Sequence, residues 1–316
     1  MTRLRNKAAL AAVFVALVGG ALPASRAADA APEPNRYAAT IAPAERFEVA
    51  GVLVERHGAR GRPLILIPGL ASGSWVWQDT IRAFAPDHAV YVLTLPGFDG
   101  RPKAGPAPFA AARAAVEELI AGRHLDKPVI VGHSLGGILA LAVAEDKPAS
   151  VGGIVSIDGL PVMPGTEDLP PERRAQFAER TRAQIGKQPP DLFAQQQQGY
   201  MRTIGVLDMS RADALAQLTA RSDPASVGAW AADVLTLDLR PGLKAIQAPV
   251  LTIVPYLDLD GAQQGLTPAG KADYYRALMG GTPTLQVATV APARHFAMFD
   301  QPDAVIAAIR SFLGTL

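Results

Sequence analysis

Cysteine is absent from the 316 residues. That excludes disulfides, thiolate metal sites, a cysteine nucleophile and a lipidated N-terminal cysteine. Histidine is scarce: there are five, and no two have the spacing of a ligand pair, so no metal site is expected. The phosphate-cradling pattern G-x-x-x-x-G-K-[ST] does not occur, and the chain is read as needing no cofactor. An excess of one charge is missing too. Thirty Lys and Arg against 29 Asp and Glu leave a formal charge of +1, which gives no electrostatic case for a nucleic-acid partner.

Apolar residues make up 49% of the chain and charged residues 19%, enough for a sizeable core and incompatible with wholesale disorder. The length fits one large domain or two small ones. The first segment reads as separate from the fold. Arg3, Arg5 and Lys7 precede the uncharged apolar stretch Ala8 to Leu22, and Ser25-Arg26-Ala27 offers small residues at a cleavage site, with Ala28-Asp29-Ala30 as a second option. This is the layout of a secretory signal over residues 1–27. The other reading, an uncleaved anchor, is disfavoured because the stretch is short of a ~20-residue span and holds Gly19, Gly20 and Pro23. The expected location is periplasmic or secreted, with no stable membrane span after removal of the signal. Cleavage after Ala27 takes away four basic residues and no acid, which changes the formal charge from +1 to −3. Residues 28–44, rich in Ala and Pro, read as a flexible lead-in.

Beyond Arg46, short apolar runs alternate with amphipathic stretches. Strands are expected over Phe47 to Arg56, Leu64 to Ile67, Ala89 to Leu95, Pro128 to Val131, Val151 to Ile157, Val250 to Val254 and Thr284 to Val290. Helices are expected over Trp75 to Ala85, Phe109 to Ala121, Leu135 to Glu145 and Pro302 to Leu313. Strands alternating with helices give the α/β class, a mainly parallel central sheet flanked by helices. Residues 160–240 interrupt the rhythm, with no convincing strand and with helices separated by Pro170-Pro171, Pro189-Pro190 and Pro224. They read as an inserted helical cap over a core formed by residues 45–159 and 241–316. There is no internal repeat.

Gly132-His133-Ser134-Leu135-Gly136-Gly137 directly follows the apolar run Val129-Ile130-Val131 and opens an apolar helix. A strand turning sharply into a helix strains its middle residue, and the neighbouring glycines remove the side chains that would clash. The Ser134 hydroxyl is thereby held at the strand's C-terminal edge, and the Leu135 amide stands at a helix N-terminus. The bland alternative is a glycine-rich βα turn with a spectator serine.

From this motif onward the sequence resembles the α/β-hydrolase superfamily, over about residue 47 to the end. The resemblance implies an oxyanion loop at Ile67-Pro68-Gly69-Leu70-Ala71-Ser72-Gly73-Ser74-Trp75. Pro68 replaces the usual histidine there, and Leu70 supplies the backbone N–H beside that of Leu135. It implies a triad acid just past the strand Pro249-Val250-Leu251-Thr252-Ile253-Val254, at Asp258. Pro255 stands where glycine is usual, so Asp260 and Asp158 stay open as rivals, some members carrying the acid at the Asp158 position. It implies a catalytic histidine in Ala293-Arg294-His295-Phe296-Ala297-Met298, in the chain order Ser134, Asp258, His295. His57, His88, His124 and His133 are read as structural. Leu160, Met163, Phe193, Tyr200, Met201 and Trp230 are candidate pocket residues, with cap core as their alternative role. The expected activity is that of a serine hydrolase, a carboxylesterase acting through an acyl-enzyme on a small, moderately apolar ester. A lactonase or an aminopeptidase-like amidase is the alternative within the class, and a non-catalytic binding protein the alternative outside it. The sequence does not set the oligomeric state.

Overall fold

The computed structural model describes residues 35–316. The signal read at residues 1–27 lies outside the described residues, as does the lead-in up to residue 34. The described part of that lead-in is not free. Asn35 donates to the Ala214 carbonyl at 2.6 Å, the Ile41 amide donates to Gln78 Oε1 at 2.6 Å, and the Tyr37 ring stands edge-on to Phe299 at 5.7 Å.

In chain order the core begins with β1 (Glu45–Val49), β2 (Val52–His57), β3 (Leu64–Ile67), α1 (Gln78–Phe84), β4 (Val90–Thr94), α2 (Pro108–Gly122), β5 (Val129–His133), α3 (Leu135–Asp146) and β6 (Gly153–Ile157). The insertion follows as α4 (Pro171–Gly186), α5 (Pro190–Tyr200), a π turn at Met201–Gly205, α6 (Met209–Thr219) and α7 (Pro224–Thr236). The core resumes with β7 (Val250–Pro255), α8 (Asp258–Gln264), α9 (Pro268–Leu278), β8 (Leu285–Val290), α10 (Ala297–Asp300) and α11 (Pro302–Leu313).

The strands form one sheet in the order β1-β2-β4-β3-β5-β6-β7-β8. The β1–β2 and β2–β4 pairs are antiparallel and every later pair is parallel. The single strand expected over Phe47 to Arg56 is instead a hairpin. Ala50 and Gly51 both take positive φ, 46° and 84°, the two-residue turn that suits the twist of an antiparallel pair. Strands β3, β5 and β6 are buried at every position. Parallel strands covered by helices on both faces require that, and it is why they read as unbroken apolar runs. Alternate residues of β3 feed two separate cores. Ile65 and Ile67 join α2, α3 and α7 on one face, and Leu64 and Leu66 join α1 and α11 on the other. Each such aliphatic side chain contributes ~1.5–3 kcal/mol by leaving water.

The insertion lies wholly between β6 and β7. Three of its helices start on proline, Pro171, Pro190 and Pro224, where a missing N–H costs nothing. Asp208 and Asp223 cap α6 and α7 by accepting from the backbone N–H of Arg211 and Ser226. An isolated antiparallel bridge between Val162 and Asp238 joins the two ends of the insertion. Among the described residues no helix is long and apolar enough to cross a membrane, and no cluster of three His, Cys, Asp or Glu could hold a metal ion.

Candidate active site

Ser134 sits between β5 and α3 with φ 53° and ψ −118°, a conformation that a residue with a side chain holds only when its surroundings impose it. Those surroundings are backbone packed too closely for a methyl group. A Cβ on Gly132 would lie 2.1 Å from the Gly136 carbonyl oxygen, and a Cβ on Gly136 would lie 2.1 Å from the Ile67 carbonyl oxygen. The glycines on either side of the serine are therefore what let the turn close. The Ser134 amide donates to the Ile157 carbonyl at 2.9 Å, which ties the turn to the end of β6.

That tie decides which acid stands nearby. In the parallel β5–β6 pair His133 lies opposite Ile157, so the next residues, Ser134 and Asp158, leave the sheet side by side. Asp158 also takes a positive φ, 51°, and its amide donates to the Ile253 carbonyl at 3.0 Å. Its Oδ2 is 2.5 Å from His295 Nδ1, and its Oδ1 accepts from the Tyr275 hydroxyl of α9. Removal from water pushes the Asp158 carboxyl up. The facing His295 ring, Lys271 and the Tyr275 hydroxyl outweigh it and hold the group well below the usual carboxylate range.

The expectation of Asp258 at this place is therefore corrected. Asp258 is exposed, begins α8 three residues beyond the end of β7, and borders neither cavity near His295. Asp260 is no substitute: it binds Arg294 through two bonds of 3.0 and 3.1 Å. Asp158, kept as a rival on sequence grounds, is the carboxylate that meets the histidine.

His295 stands in the loop between β8 and α10, and the insertion fixes that loop. The amides of His295 and Phe296 donate to the carbonyls of Ile204 and Gly205 of the π turn at 3.1 and 2.9 Å. His133 holds it from the other side, with Nε2 3.0 Å from the His295 carbonyl and the two rings 4.6 Å apart. Burial first, then the neighbouring His295, push the His133 imidazole far below its ordinary value. The ring is thus neutral with its proton on Nε2, the donor that the carbonyl needs. The structural role expected of His133 is this hold on the His295 loop. No local motif announces it, nor the Tyr275 contact, because both partners are more than a hundred residues away.

The expected oxyanion donors, the amides of Leu70 and Leu135, belong to two segments next to the serine. Leu135 opens α3, so its N–H is among those with no intrahelical partner. Leu70 borders the cavity, and the backbone before it is close: a Cβ on Gly69 would lie 3.2 Å from Ser134 Cβ. A cavity of about 120 Å³ is lined by Ser134, His295, Asp158 and Leu70 together with residues of the insertion. Of the candidate pocket residues, Leu160, Met163, Tyr200 and Met201 border it, and Tyr200 stands edge-on to the His295 ring at 6.2 Å. Phe193 and Trp230 do not border it. Both are fully buried in the core, where Trp230 donates from Nε1 to the Pro96 carbonyl at 3.0 Å and packs on Phe98. Apolar spacing on a helix does not separate a lining residue from a core one. A second cavity, of about 400 Å³, shares Asp158, Gln264, Lys271 and His295 with the first.

The sequence profile described as the alpha/beta hydrolase family matches residues 64–308. The bifunctional biotin biosynthesis protein BioHC of Cellvibrio japonicus is 28% identical over 264 residues. The alignment takes in 80% of this chain and 48% of that protein, so the chain spans about half its length. The pimeloyl-[acyl-carrier protein] methyl ester esterase of Serratia marcescens is 25% identical over 81% of this chain and 96% of its own. Among solved structures, a thermophilic esterase from Thermogutta terrifontis superposes with a TM-score of 0.68 at 22% identity, covering 86% of this chain and 99% of that one. The enol-lactonase of Burkholderia xenovorans LB400 superposes with a TM-score of 0.67 at 17% identity, covering 85% and 100%. At these identities the two structures speak to the fold alone.

Proposed function

The chain belongs to the alpha/beta hydrolase family, and we propose that within it this protein is a serine carboxylesterase acting through an acyl-enzyme. The observation that carries this reading is the largely buried His295–Asp158 pair at 2.5 Å on the same cavity as a serine in a strained strand-to-helix turn. In the proposed reaction His295 Nε2 takes the proton of Ser134 as Oγ attacks the ester carbonyl carbon. Asp158 keeps the Nδ1 proton in place and stabilises the imidazolium that forms. The amides of Leu70 and Leu135 donate to the developing oxyanion, each such donor being worth ~3 kcal/mol in the transition state. The tetrahedral intermediate collapses, the bond to the leaving alkoxide breaks, and His295 passes its proton to that oxygen. Water then repeats the sequence on the acyl-enzyme, releasing the acid and restoring the serine.

The mostly apolar walls around Ser134 support a small, moderately apolar acyl group. The Serratia relative, named for a methyl ester substrate, supports the ester as the bond cleaved. Export belongs to the same proposal, and N-terminal sequencing of the protein from periplasmic and culture fractions is expected to begin at Ala28. The test of the chemistry is labelling with a fluorophosphonate, followed by turnover of p-nitrophenyl esters. Wild type is expected to form a stoichiometric adduct that Ser134→Ala loses together with all turnover. No Ser134-dependent adduct would overturn the reading in favour of a non-catalytic binding protein.

A further inference from the structure

Tyr200 ends α5 and brings to the cavity a hydroxyl that the reaction above does not use. The residue is partly buried, and its hydroxyl makes no hydrogen bond among the described residues. That hydroxyl is not one of the unpaired atoms closed off from water, so a water-sized group can reach it. Burial first, then the charge of Asp158, push the phenol up beyond its ordinary range. The oxygen therefore lies inside the protein and not on its outer face, and the space open to it is the cavity that Tyr200 borders. A phenol so shifted keeps its proton and is a neutral donor. Much of the surrounding wall is apolar, built from Leu70, Ile138, Leu160, Met163 and Met201. Phenylalanine would serve the packing alone. The hydroxyl adds a donor for whatever fills the cavity.

What holds this phenol gives its place in the reaction. The Tyr200 ring stands edge-on to the His295 ring at 6.2 Å. The π turn that begins at the next residue carries the Ile204 and Gly205 carbonyls, which accept from the His295 and Phe296 amides. One short segment thus sets the phenol and the imidazole against each other, and π turns recur at functional sites. The oxyanion forms against the amides of Leu70 and Leu135. The leaving oxygen must instead come within hydrogen-bond reach of His295, because it takes its proton from that ring. We propose that Tyr200 is a further catalytic residue, whose hydroxyl donates a hydrogen bond to the leaving-group oxygen as the ester bond breaks. The electron pair of that bond goes to the oxygen, Nε2 of the imidazolium supplies the proton, and Tyr200 keeps its own. Such a donor matters most where the departing oxygen is strongly basic, as in an unactivated alkyl alcohol. The inference rests on the serine-hydrolase reading and adds to it the class of leaving group.

The test compares wild type with Tyr200→Phe, as full chains, on ethyl, trifluoroethyl, phenyl and p-nitrophenyl butyrates. These share one acyl group and differ in the basicity of the departing oxygen. The readout is kcat/KM, which reports the acylation step in which that oxygen leaves. Tyr200→Phe is expected to lose about tenfold on the ethyl ester, one hydrogen bond to a developing charge, and about twofold on the p-nitrophenyl ester, with the loss falling along the series. A merely structural role, in which the ring only positions His295, would lower all four esters by one factor. Equal losses across the series, or no loss on the ethyl ester, overturn the proposal. The hydroxyl bonds nothing within the fold, so Tyr200→Phe is expected to melt with wild type. A drop of several degrees would give the hydroxyl a partner in the fold and overturn the proposal as well. Fluorophosphonate labelling is expected in both proteins. Its loss in wild type would instead be the failure of the hydrolase reading.

Discussion

Replacing Asp158 by asparagine separates two carboxylates on one protein. The Asp158 side chain is only 12% exposed, 2.5 Å from His295 Nδ1, with its other oxygen taking the Tyr275 hydroxyl. Asparagine keeps the shape and removes the charge. If its carbonyl oxygen faces His295, the imidazolium of the transition state loses its counter-ion. If its NH2 faces His295, the ring is driven into the tautomer that cannot take a proton from Ser134 on Nε2. In the comparable serine-protease substitution the loss is ~10⁴ in kcat, about 5 kcal/mol of transition-state stabilisation. Asp158→Asn is expected to lose roughly 10³- to 10⁴-fold in kcat on p-nitrophenyl butyrate, on the order of 4–5 kcal/mol. Its KM should stay within a few-fold of wild type, and fluorophosphonate labelling should slow in proportion. Asp258→Asn changes an exposed residue at a helix start and is expected to keep kcat within a factor of about two. Thermal melts of both variants would show whether a loss of rate is a loss of fold. An inactive, folded Asp258→Asn beside an active Asp158→Asn would refute the assignment.

Four further substitutions follow from the same geometry. Tyr275→Phe removes a donor from the Asp158 carboxylate and is expected to lower kcat about tenfold with little change in KM, read by the same ester assay. The native state keeps His133 neutral while the unfolded chain protonates it near pH ~6.5, so the folded form binds fewer protons below that pH. Its contribution to stability is therefore present above pH ~6.5 and lost on acidification, at up to ~1.4 kcal/mol per pH unit; urea melts from about pH 7.5 to 5 should show His133→Gln with a shallower acid slope than wild type. Gly136→Ala sets a methyl group 2.1 Å from the Ile67 carbonyl oxygen and is expected to abolish soluble, labelled enzyme. Gly105→Ala meets nothing within 4 Å and should be neutral in melting temperature.

The sheet was legible because its parallel strands are buried on both faces and so appear as unbroken apolar runs such as Leu64 to Ile67. The turn at Ser134 was legible because its requirement for glycine is local, met by Gly132 and Gly136 on either side of the serine. The Ala50-Gly51 hairpin was missed because Ala50 in a left-handed conformation has no strong sequence signal, and the apolar alternation runs straight through it. The partner of His295 was harder still. Asp158 and Asp258 both follow apolar strands, and only the β5–β6 register, which brings Asp158 beside Ser134, and the placement of α9, which delivers Tyr275, tell them apart. Pro255 in place of glycine was the one visible sign that the loop after β7 is built for something else. The two lost pocket candidates, Phe193 and Trp230, failed for a related reason. Helical spacing tells which face of α5 or α7 is apolar and does not tell whether that face meets a cavity or the core.

Placing the carboxylate at the end of β6 has a consequence for the loop after β7. That loop no longer has to carry an acid to the imidazole, so its conformation is free to serve the surroundings of the site. Tyr256 donates its hydroxyl to the Leu266 carbonyl at 2.9 Å across the loop and fixes its width. Gly261 is where α8 passes that ring, since a Cβ there would lie 2.3 Å from the Tyr256 hydroxyl. Asp260 then reaches Arg294, next to His295, and this pair and Lys271 border the larger cavity together with Asp158 and His295. The Asp158 side chain itself is only 12% exposed. A carboxylate so shielded, paired with the ring at 2.5 Å, acts through a lower dielectric than an exposed one would. The substitution Pro255→Gly alone would loosen the loop without bringing Asp258 to the histidine.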